Sequence, residues 1–592
     1  MKRWLALFVL AAGCGEDATI PAGPADGGLA DGALSGDAAA PDGGTAPDGG
    51  KPFVDLAGPL FDPNHIVEVS ITMSPTEWEA LRNETRTIGS VIEGACLSKP
   101  IESPFTTFEA IVTIDGTTIP RVGIHKKGFF GSLDKVRPSL KIKLDEYDKD
   151  KEYLSLDKIT LNNGRQDPSL IRQCLTYPLF AAAGLPASRC NYAHVKVNGT
   201  DLGVYTHVEA IDKKMIKKRF ADGTGPLYEG TLSDFRPLWV NTFDPKGKSG
   251  DRTDLVPLVN ALRDAPDATL SATIDPLVDI DKFLSFWAME AITLHWDGYS
   301  NNKNNFFVYH DPTSKKLVFI PWGVDATMQP WSTFGNLGST TGPIGISASS
   351  MLARRLFNIP ATKKNILDRE RALLGSVWKE AALIAEIDRV EKLITPIADP
   401  VQGTAWHAGV AQLRTFVNER RAKLTAALDA GPTWTDPLAA YPCLDVKATV
   451  EGTFSTTYGT IGAANPLGTG SGTMTITIGG IKTVLSPVGA TAGVDGTAPT
   501  RSVIQVFGQR ASDGHVIVVS MGMPSVRFFP RAFNIGFLDG SGSVLDYNPV
   551  TMGTTQVGFI LGDLTLTKAA TAAGAPVQGS FVVNADQPGS PP

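Results

Sequence analysis

Between residues 295 and 325 the chain runs His295-Trp296-Asp297-Gly298-Tyr299-Ser300-Asn301-Asn302-Lys303-Asn304-Asn305, then Phe306-Phe307-Val308-Tyr309-His310, then Val318-Phe319-Ile320-Pro321-Trp322-Gly323-Val324-Asp325. No other stretch constrains the fold as much. It reads as an acid on a loop, a cluster of amides, an apolar strand, a turn, a second strand and a second acid.

Phosphoryl transfer needs a base near the acceptor hydroxyl and oxygens around Mg²⁺, and protein kinases meet this with a loop Asp, an Asn after four intervening residues, and a further Asp beyond a short hairpin. Asp297, Asn302 and Asp325 have that arrangement. Asn305 competes with Asn302 for the amide role because it abuts the strand. The same residues also fit turn chemistry, since Asn tolerates the left-handed region and Asp caps turns and helices.

At 592 residues the chain is long enough for several domains, and its 42% hydrophobic content fills large cores. The net charge of −7 is concentrated at one end, because residues 15–50 hold seven acids and neither Lys nor Arg. The remainder is close to neutral, so no basic face for nucleic acid is announced.

Lys2-Arg3 followed by the apolar run from Trp4 to Ala12 reads as a secretory signal, too short for a permanent membrane span. Gly13-Cys14 closes it and resembles a bacterial lipobox, with residues 1–14 as lipoprotein signal and Cys14 as the lipidated residue, although Ala11 stands where Leu or Val is more usual. The stretch that follows is Gly, Ala, Asp and Pro, which cannot bury enough apolar surface to offset chain entropy. Residues 15–60 are therefore expected to form a disordered tether. An even number of cysteines remains, Cys96, Cys174, Cys190 and Cys443, and in an exported chain these suggest disulfides. Cys174 and Cys190 are close in sequence and pair first; Cys96 and Cys443 are then left, either bonded or as buried thiols.

From residue 62 to about 215 the pattern mixes strands with one clear helix. His65–Met73 and Thr107–Ile114 read as strands, the second ending at Asp115-Gly116. Lys126-Lys127-Gly128 ends another strand in a small-residue loop, and Pro138–Asp145 places Lys141 and Lys143 on one strand face. A glycine-containing loop followed by a strand lysine suits nucleotide phosphates, while alternating lysines also suit a solvent-facing edge. Asp167-Pro168 predicts a helix cap with Pro in the first turn, followed by the apolar stripe Leu170, Ile171, Cys174, Leu175, Leu179 and Phe180 up to Gly184. A hairpin around Asn198-Gly199 and a Lys-rich helix from Asp212 follow.

Taken together, Lys126-Lys127-Gly128, Arg137–Lys143, Gln166–Arg172, Asn198–Tyr205, Leu227-Tyr228-Glu229, Trp296–Tyr299 and Ile320–Asp325 resemble, in order, the spore coat protein H (CotH) kinase family. The resemblance implies an α+β fold, an atypical bilobal protein-kinase-like domain, using ATP and Mg²⁺ to phosphorylate Ser or Thr of secreted or envelope proteins. It further implies Asp297 and Lys141 as catalytic residues, and Lys127, Gly128, Lys141, Lys143 and Glu209 as nucleotide contacts, with Glu209 at the hinge between lobes. Asp325 with Asn302 or Asn305 would hold the metal. Many family members carry Trp-Asp-x-Asp where this chain has Trp322-Gly323-Val324-Asp325, so one acid is absent.

Residues 350–430 carry apolar faces at helical spacing. From Gly431 the composition shifts to Gly, Thr, Val and Ser with short strand patterns, indicating an all-β, sandwich-like accessory domain over 431–592 whose ligand is unknown. The kinase-like domain is expected over 61–430, and the whole is expected to be an exported, membrane-anchored lipoprotein. Two further function classes fit the same residues: a kinase-shaped surface or binding protein without transfer activity, and a nucleotidyl transferase.

Overall fold

The computed structural model describes residues 54–591 except 248–249, 330–344, 436–437, 439 and 537–538. The signal segment, Cys14 and most of the tether lie outside the described residues. The tether's expected end at residue 60 is corrected: Ala57 and Leu60 are buried and Gly58–Phe61 forms a 3-10 turn, because Leu60 and Phe61 supply apolar surface that the preceding Gly/Ala/Asp run lacks. Among the described residues, no helix is long and apolar enough to cross a membrane.

The chain divides into two compact units, one of residues 1–85 and 97–439, the other of residues 86–96 and 440–592. The expected boundary at 430/431 therefore needs correcting by a second crossing, since the segment 86–96 belongs with the C-terminal unit.

The first unit begins with a closed seven-stranded barrel in the order β1-β2-β3-β4-β5-β7-β6. Its strands are β1 (Ile66–Thr72), β2 (Phe108–Ile114), β3 (Thr117–Lys127), β4 (Ser139–Lys143), β5 (Lys158–Asn162), β6 (Cys190–Val197) and β7 (Thr200–Val208). β1 and β6 pair in parallel and every other neighbour is antiparallel. Strand side chains alternate in direction, so Val67, Val69, Ile71, Val122, Ile124, Leu140, Ile142, Ile159 and Leu161 fill the interior. The same alternation puts Lys127, Lys141, Lys158 and Asn162 on the opposite, polar face of β3, β4 and β5. Lys126 faces inward and is buried. Its ammonium donates to the carbonyls of Arg82 and Glu84 at 2.8 and 2.6 Å, capping the end of α1 (Pro75–Asn83). The one-turn helix α2 (Gly89–Ile92) belongs to the second unit.

α3 (Arg172–Ala182) starts four residues later than the Asp167-Pro168 pattern predicts. Leu170 takes a left-handed φ of 62°, which breaks the path. Asp167 still caps, accepting from the Ser169 and Arg172 N–H at 2.9 and 2.7 Å. The β6–β7 turn is Asn198-Gly199 with φ of 49° and 79°, the geometry for which Asn-Gly is suited. The Lys-rich helix expected from Asp212 is α4 (Lys213–Arg219), and Asp212 caps it through the N–H of Lys214 and Met215.

Beyond the barrel, a four-stranded sheet of order β11-β10-β8-β9 is formed by β8 (Leu227–Gly230), β9 (Asp244–Pro245), β10 (Phe306–Asp311) and β11 (Lys316–Pro321). Helices α5 (Val256–Asp264), α6 (Asp267–Ile274) and α7 (Ile280–Thr293) precede β10; α8 (Met351–Asn358), α9 (Pro360–Ser376), α10 (Glu380–Gln402) and α11 (Trp406–Asp429) follow β11. The core between α7 and the sheet is aromatic: Phe283, Phe286, Tyr299, Phe306 and Phe319 pack with ring centroids 4.7–6.4 Å apart.

The second unit is all-β. β12 (Leu444–Thr457), β13 (Ser471–Ile478), β14 (Ile481–Leu485), β15 (Val488–Asp495), β16 (Ala498–Gln509), β17 (Val516–Pro524), β18 (Arg531–Ile535), β19 (Ser541–Asn548), β20 (Gly553–Lys568) and β21 (Pro576–Pro588) bond into a single ten-stranded sheet. The sandwich-like packing thus comes from one sheet curling over a shared core that includes Val450, Phe454, Ile504, Val519, Phe581 and Val583, rather than from two separate sheets. Cys96 is bonded to Cys443, which fastens the 86–96 segment to the start of β12 within this unit. Cys174 is bonded to Cys190, joining α3 to β6.

Candidate active site

A hairpin holds its open ends side by side. β10 and β11 pair from Phe306 against Pro321 to Asp311 against Lys316, and the Trp322 N–H donates to the Asn305 carbonyl at 3.1 Å. Asp297, on the loop entering β10, and Asp325, in the 3-10 turn Val324–Ala326 after β11, are therefore neighbours.

Asp297 is buried and collects amide donors. The side-chain nitrogens of Asn302, Asn304 and Asn305 lie 2.6, 3.2 and 2.7 Å from its oxygens. Asn302 and Asn305, alternatives in the sequence, thus act together, and Asn304 joins them. Burial pushes the Asp297 carboxyl up to about 7, the three amides oppose this, and the charge of Asp325 adds to it. Burial likewise pushes Asp325 up to about 6, opposed by its own backbone N–H and by Lys127, with Asp167 adding to the rise.

The missing acid at position 323 has a steric explanation. Gly323 takes φ +52°, and a Cβ there would sit 2.5 Å from the Asn305 amide carbon and oxygen. The space that a side chain at 323 would need is filled by the amide that holds Asp297.

Across from these acids stands the polar face of β3–β5. Lys127 donates to the Asn162 side-chain oxygen and lies 5.7 Å from the centroid of the Trp322 ring. Burial lowers its ammonium to about 8, the charge of Lys141 adds to this, and Asp325 and Glu229 oppose it. Lys127, rather than Lys141, is the lysine set against Asp325. Lys141 is one strand further along the same face, its ammonium lowered by burial and influenced by Glu229, Lys158, Lys246 and Asp212. Lys143 is drawn off to Glu146 at 3.1 Å, away from the acids. Glu209 follows β7, at the connector, but its oxygens are taken by the Arg189 backbone N–H at 3.1 Å and the Arg189 guanidinium at 2.5 Å, with Lys218 at 3.7 Å. Gly128 takes φ +119°, and Ser132 Oγ, which accepts from the Phe129 N–H at 3.1 Å, would lie 2.3 Å from any Cβ there. The loop closes on itself, and only glycine fits.

Asp167 and Arg172 form a buried pair at 3.7 Å, Arg172 also donating to Gln329 at 2.9 Å. Trp296 is buried, and Trp322 is half-buried beneath Lys127. Sequence reasoning missed Asn162, which holds Lys127, and Gln173, which accepts from Asn162 at 2.9 Å. It also missed Glu290 of α7, whose signal was a lone acid within the apolar run Phe283–Thr293.

Among the described residues no group of three or more His, Cys, Asp or Glu forms a metal cage. Mg²⁺ is held by one or two carboxylates together with substrate phosphates rather than by an all-protein cage, and it takes oxygen ligands. Two buried carboxylates pushed toward protonation, with a single lysine to offset them, fit that ion and a bound polyphosphate.

The chain is 28% identical over 189 residues to inner spore coat protein H of Bacillus subtilis (strain 168), covering 30% of this chain and 51% of that protein. It is 23% identical over 358 residues to spore coat protein homolog 1 of Rhizopus delemar, covering 58% and 56%, and 28% identical over 187 residues to invasin CotH3 of the same fungus, covering 28% and 31%. The chain thus spans only 31–56% of the length of these relatives. Among solved structures, the Helicobacter pylori proinflammatory kinase CtkA aligns over 52% of this chain and 94% of that one at 12% identity, with a TM-score of 0.29. Residues 124–424, a little over half of the chain and including every strand and loop of the site described above from the second half of β3 onward, match the family described as CotH kinase protein, and to that family the chain belongs.

Proposed function

We propose that this protein is an exported, lipid-anchored atypical kinase that transfers the γ-phosphate of ATP to Ser or Thr of envelope or surface proteins. The observation that supports it most is the pairing of Asp297, held by three amides, with Asp325, which faces a buried lysine from the barrel. The division of labour follows from the surroundings. Asp297, oriented by its amides and pushed up to about 7, takes the proton from the acceptor hydroxyl near neutral pH. Asp325 supplies anionic oxygen for Mg²⁺, which when bound neutralises phosphate charge. Lys127 and Lys141 supply positive charge along the barrel face for the phosphates. Names of relatives, a spore coat protein and an invasin, are consistent with work at a cell surface.

The test is to incubate the full-length protein with Mg²⁺, a Ser/Thr-rich acceptor protein, and ATP labelled at the γ or at the α phosphorus. Transfer of γ-label to Ser or Thr is the expected result. Transfer of α-label alone would replace the kinase reading by nucleotidyl transfer, and transfer of neither would leave a kinase-shaped binding protein.

A further inference from the structure

Glu290 is the most deeply committed acid near the site that the reading above leaves without a role. It sits in the last turns of α7, 2% exposed, seven residues before Asp297. Its two oxygens are divided between two consecutive peptide groups of the loop: the Tyr299 N–H donates to Oε1 at 2.7 Å and the Ser300 N–H to Oε2 at 2.9 Å. The carboxylate fills the space beside Gly298 so completely that a Cβ there would lie 2.1 Å from Oε1. His295 Nδ1 lies beside the same space, 3.9 Å from the carboxylate, and burial holds that imidazole neutral by lowering it to about 4.

What Glu290 grips is passed on. The Gly298 carbonyl accepts from the N–H groups of Asn302 and Lys303 at 3.0 and 2.9 Å, and Asn302 in turn donates to Asp297. The Gly298–Ser300 turn is thus seated from below by Glu290, while from above it sets the start of the amide cluster that orients Asp297. A buried carboxylate accepting two backbone N–H bonds is a strong and directional anchor. Its loss leaves two buried donors unpaired.

We propose that Glu290 is the positioning residue of this loop, fixing Asn302 and through it the Asp297 carboxylate without touching substrate. This rests on the kinase reading for its kinetic part only. A displacement of about 1 Å at a reacting group costs on the order of 10²-fold in rate. Glu290→Ala, which removes both acceptors, is therefore expected to lower kcat about 10²-fold with the KM for ATP nearly unchanged. Glu290→Gln keeps one acceptor oxygen and should lose about tenfold.

The test uses the full chain and two readouts: kcat and KM for γ-phosphate transfer, and amide hydrogen exchange of Tyr299 and Ser300. Exchange at those two amides should quicken about tenfold or more in Glu290→Ala and less in Glu290→Gln, with protection in β10 and β11 retained. Gly298→Ala, which pushes a methyl against the carboxylate, should reproduce the effect from the other side, so the inference survives should Glu290→Ala fail to fold. If Glu290→Gln and Gly298→Ala keep wild-type exchange at Tyr299 and Ser300, or if exchange quickens while kcat stays within about twofold of wild type, the positioning role is overturned. Absence of transfer in the wild-type protein, with exchange changing as expected, would refute the kinase reading and leave the anchor standing.

Discussion

Asp297 and Asp325 are both raised by burial, and the sign of that shift yields two measurements. An Asp near 3.8 in the unfolded chain and near 6 or 7 when folded keeps its proton longer in the folded state. Such a group favours folding below about pH 4, and this contribution is lost as pH climbs through its folded value. In thermal unfolding without Mg²⁺, Asp297→Asn and Asp325→Asn should gain on the wild type as pH rises from about 5 to about 8. Mg²⁺ has to displace the proton of Asp325, so affinity for an Mg²⁺–ATP analogue should increase in the wild type as pH rises through about 6. A flat affinity profile would show that Asp325 is not the group the metal meets. The variants should also fail differently at fixed pH. Asp325→Asn should weaken calorimetric binding of the analogue about tenfold or more, whereas Asp297→Asn should bind within a few-fold and lose about 10²–10⁴ in transfer rate. Near-normal transfer in both would return these residues to capping roles.

At the scale of single elements, α3 is where sequence and structure part most clearly. Its apolar stripe was legible, but its start was not, because the Asp-Pro signal operates through a left-handed Leu170 that a propensity argument does not foresee. The β10–β11 hairpin and an amide cluster after Asp297 could be read in the sequence because turn chemistry and loop acids are local, but Asn302 and Asn305 stood there as alternatives for the metal, not as donors that bind Asp297 together with Asn304. Which strand lysine meets Asp325 could not, since that depends on barrel closure, and β3 supplies Lys127 where the family resemblance pointed to Lys141 on β4. Helix α7 passed unread because it is buried all round from Phe283 to Thr293 and so lacks an amphipathic pattern, and the short helices α5 and α6 were not singled out either. The Cys174–Cys190 bond fixes α3, whose Gln173 bonds Asn162 and through it Lys127. Closing this short loop contributes about 3 kcal/mol in the chain-entropy view. Cys174→Ser with Cys190→Ser should lower the thermal midpoint of the first unit and raise the KM for ATP. Unchanged KM would mean that α3 is held by packing alone.

For the molecule as a whole, the anchoring reading makes a plain claim: Cys14→Ser should move the protein from the membrane fraction to the soluble one, and continued sedimentation with membranes would refute lipidation at that residue. The two-unit division was only half visible in the composition. The shift at Gly431 marks one crossing, but nothing in residues 86–96 announces that α2 and Cys96 pair with a partner 347 residues downstream. In the export proposed above the chain emerges from its amino end, so Cys96 appears long before Cys443 and must wait, reduced or mispaired, while the entire family-matching segment passes. Val91 and Ile92 wait with it, apolar and uncovered. Completion of the second unit is therefore tied to the order of synthesis. A chain cut at residue 430, although it retains the whole candidate active site, would carry a permanently unmatched thiol and a strip of bare hydrocarbon near its beginning.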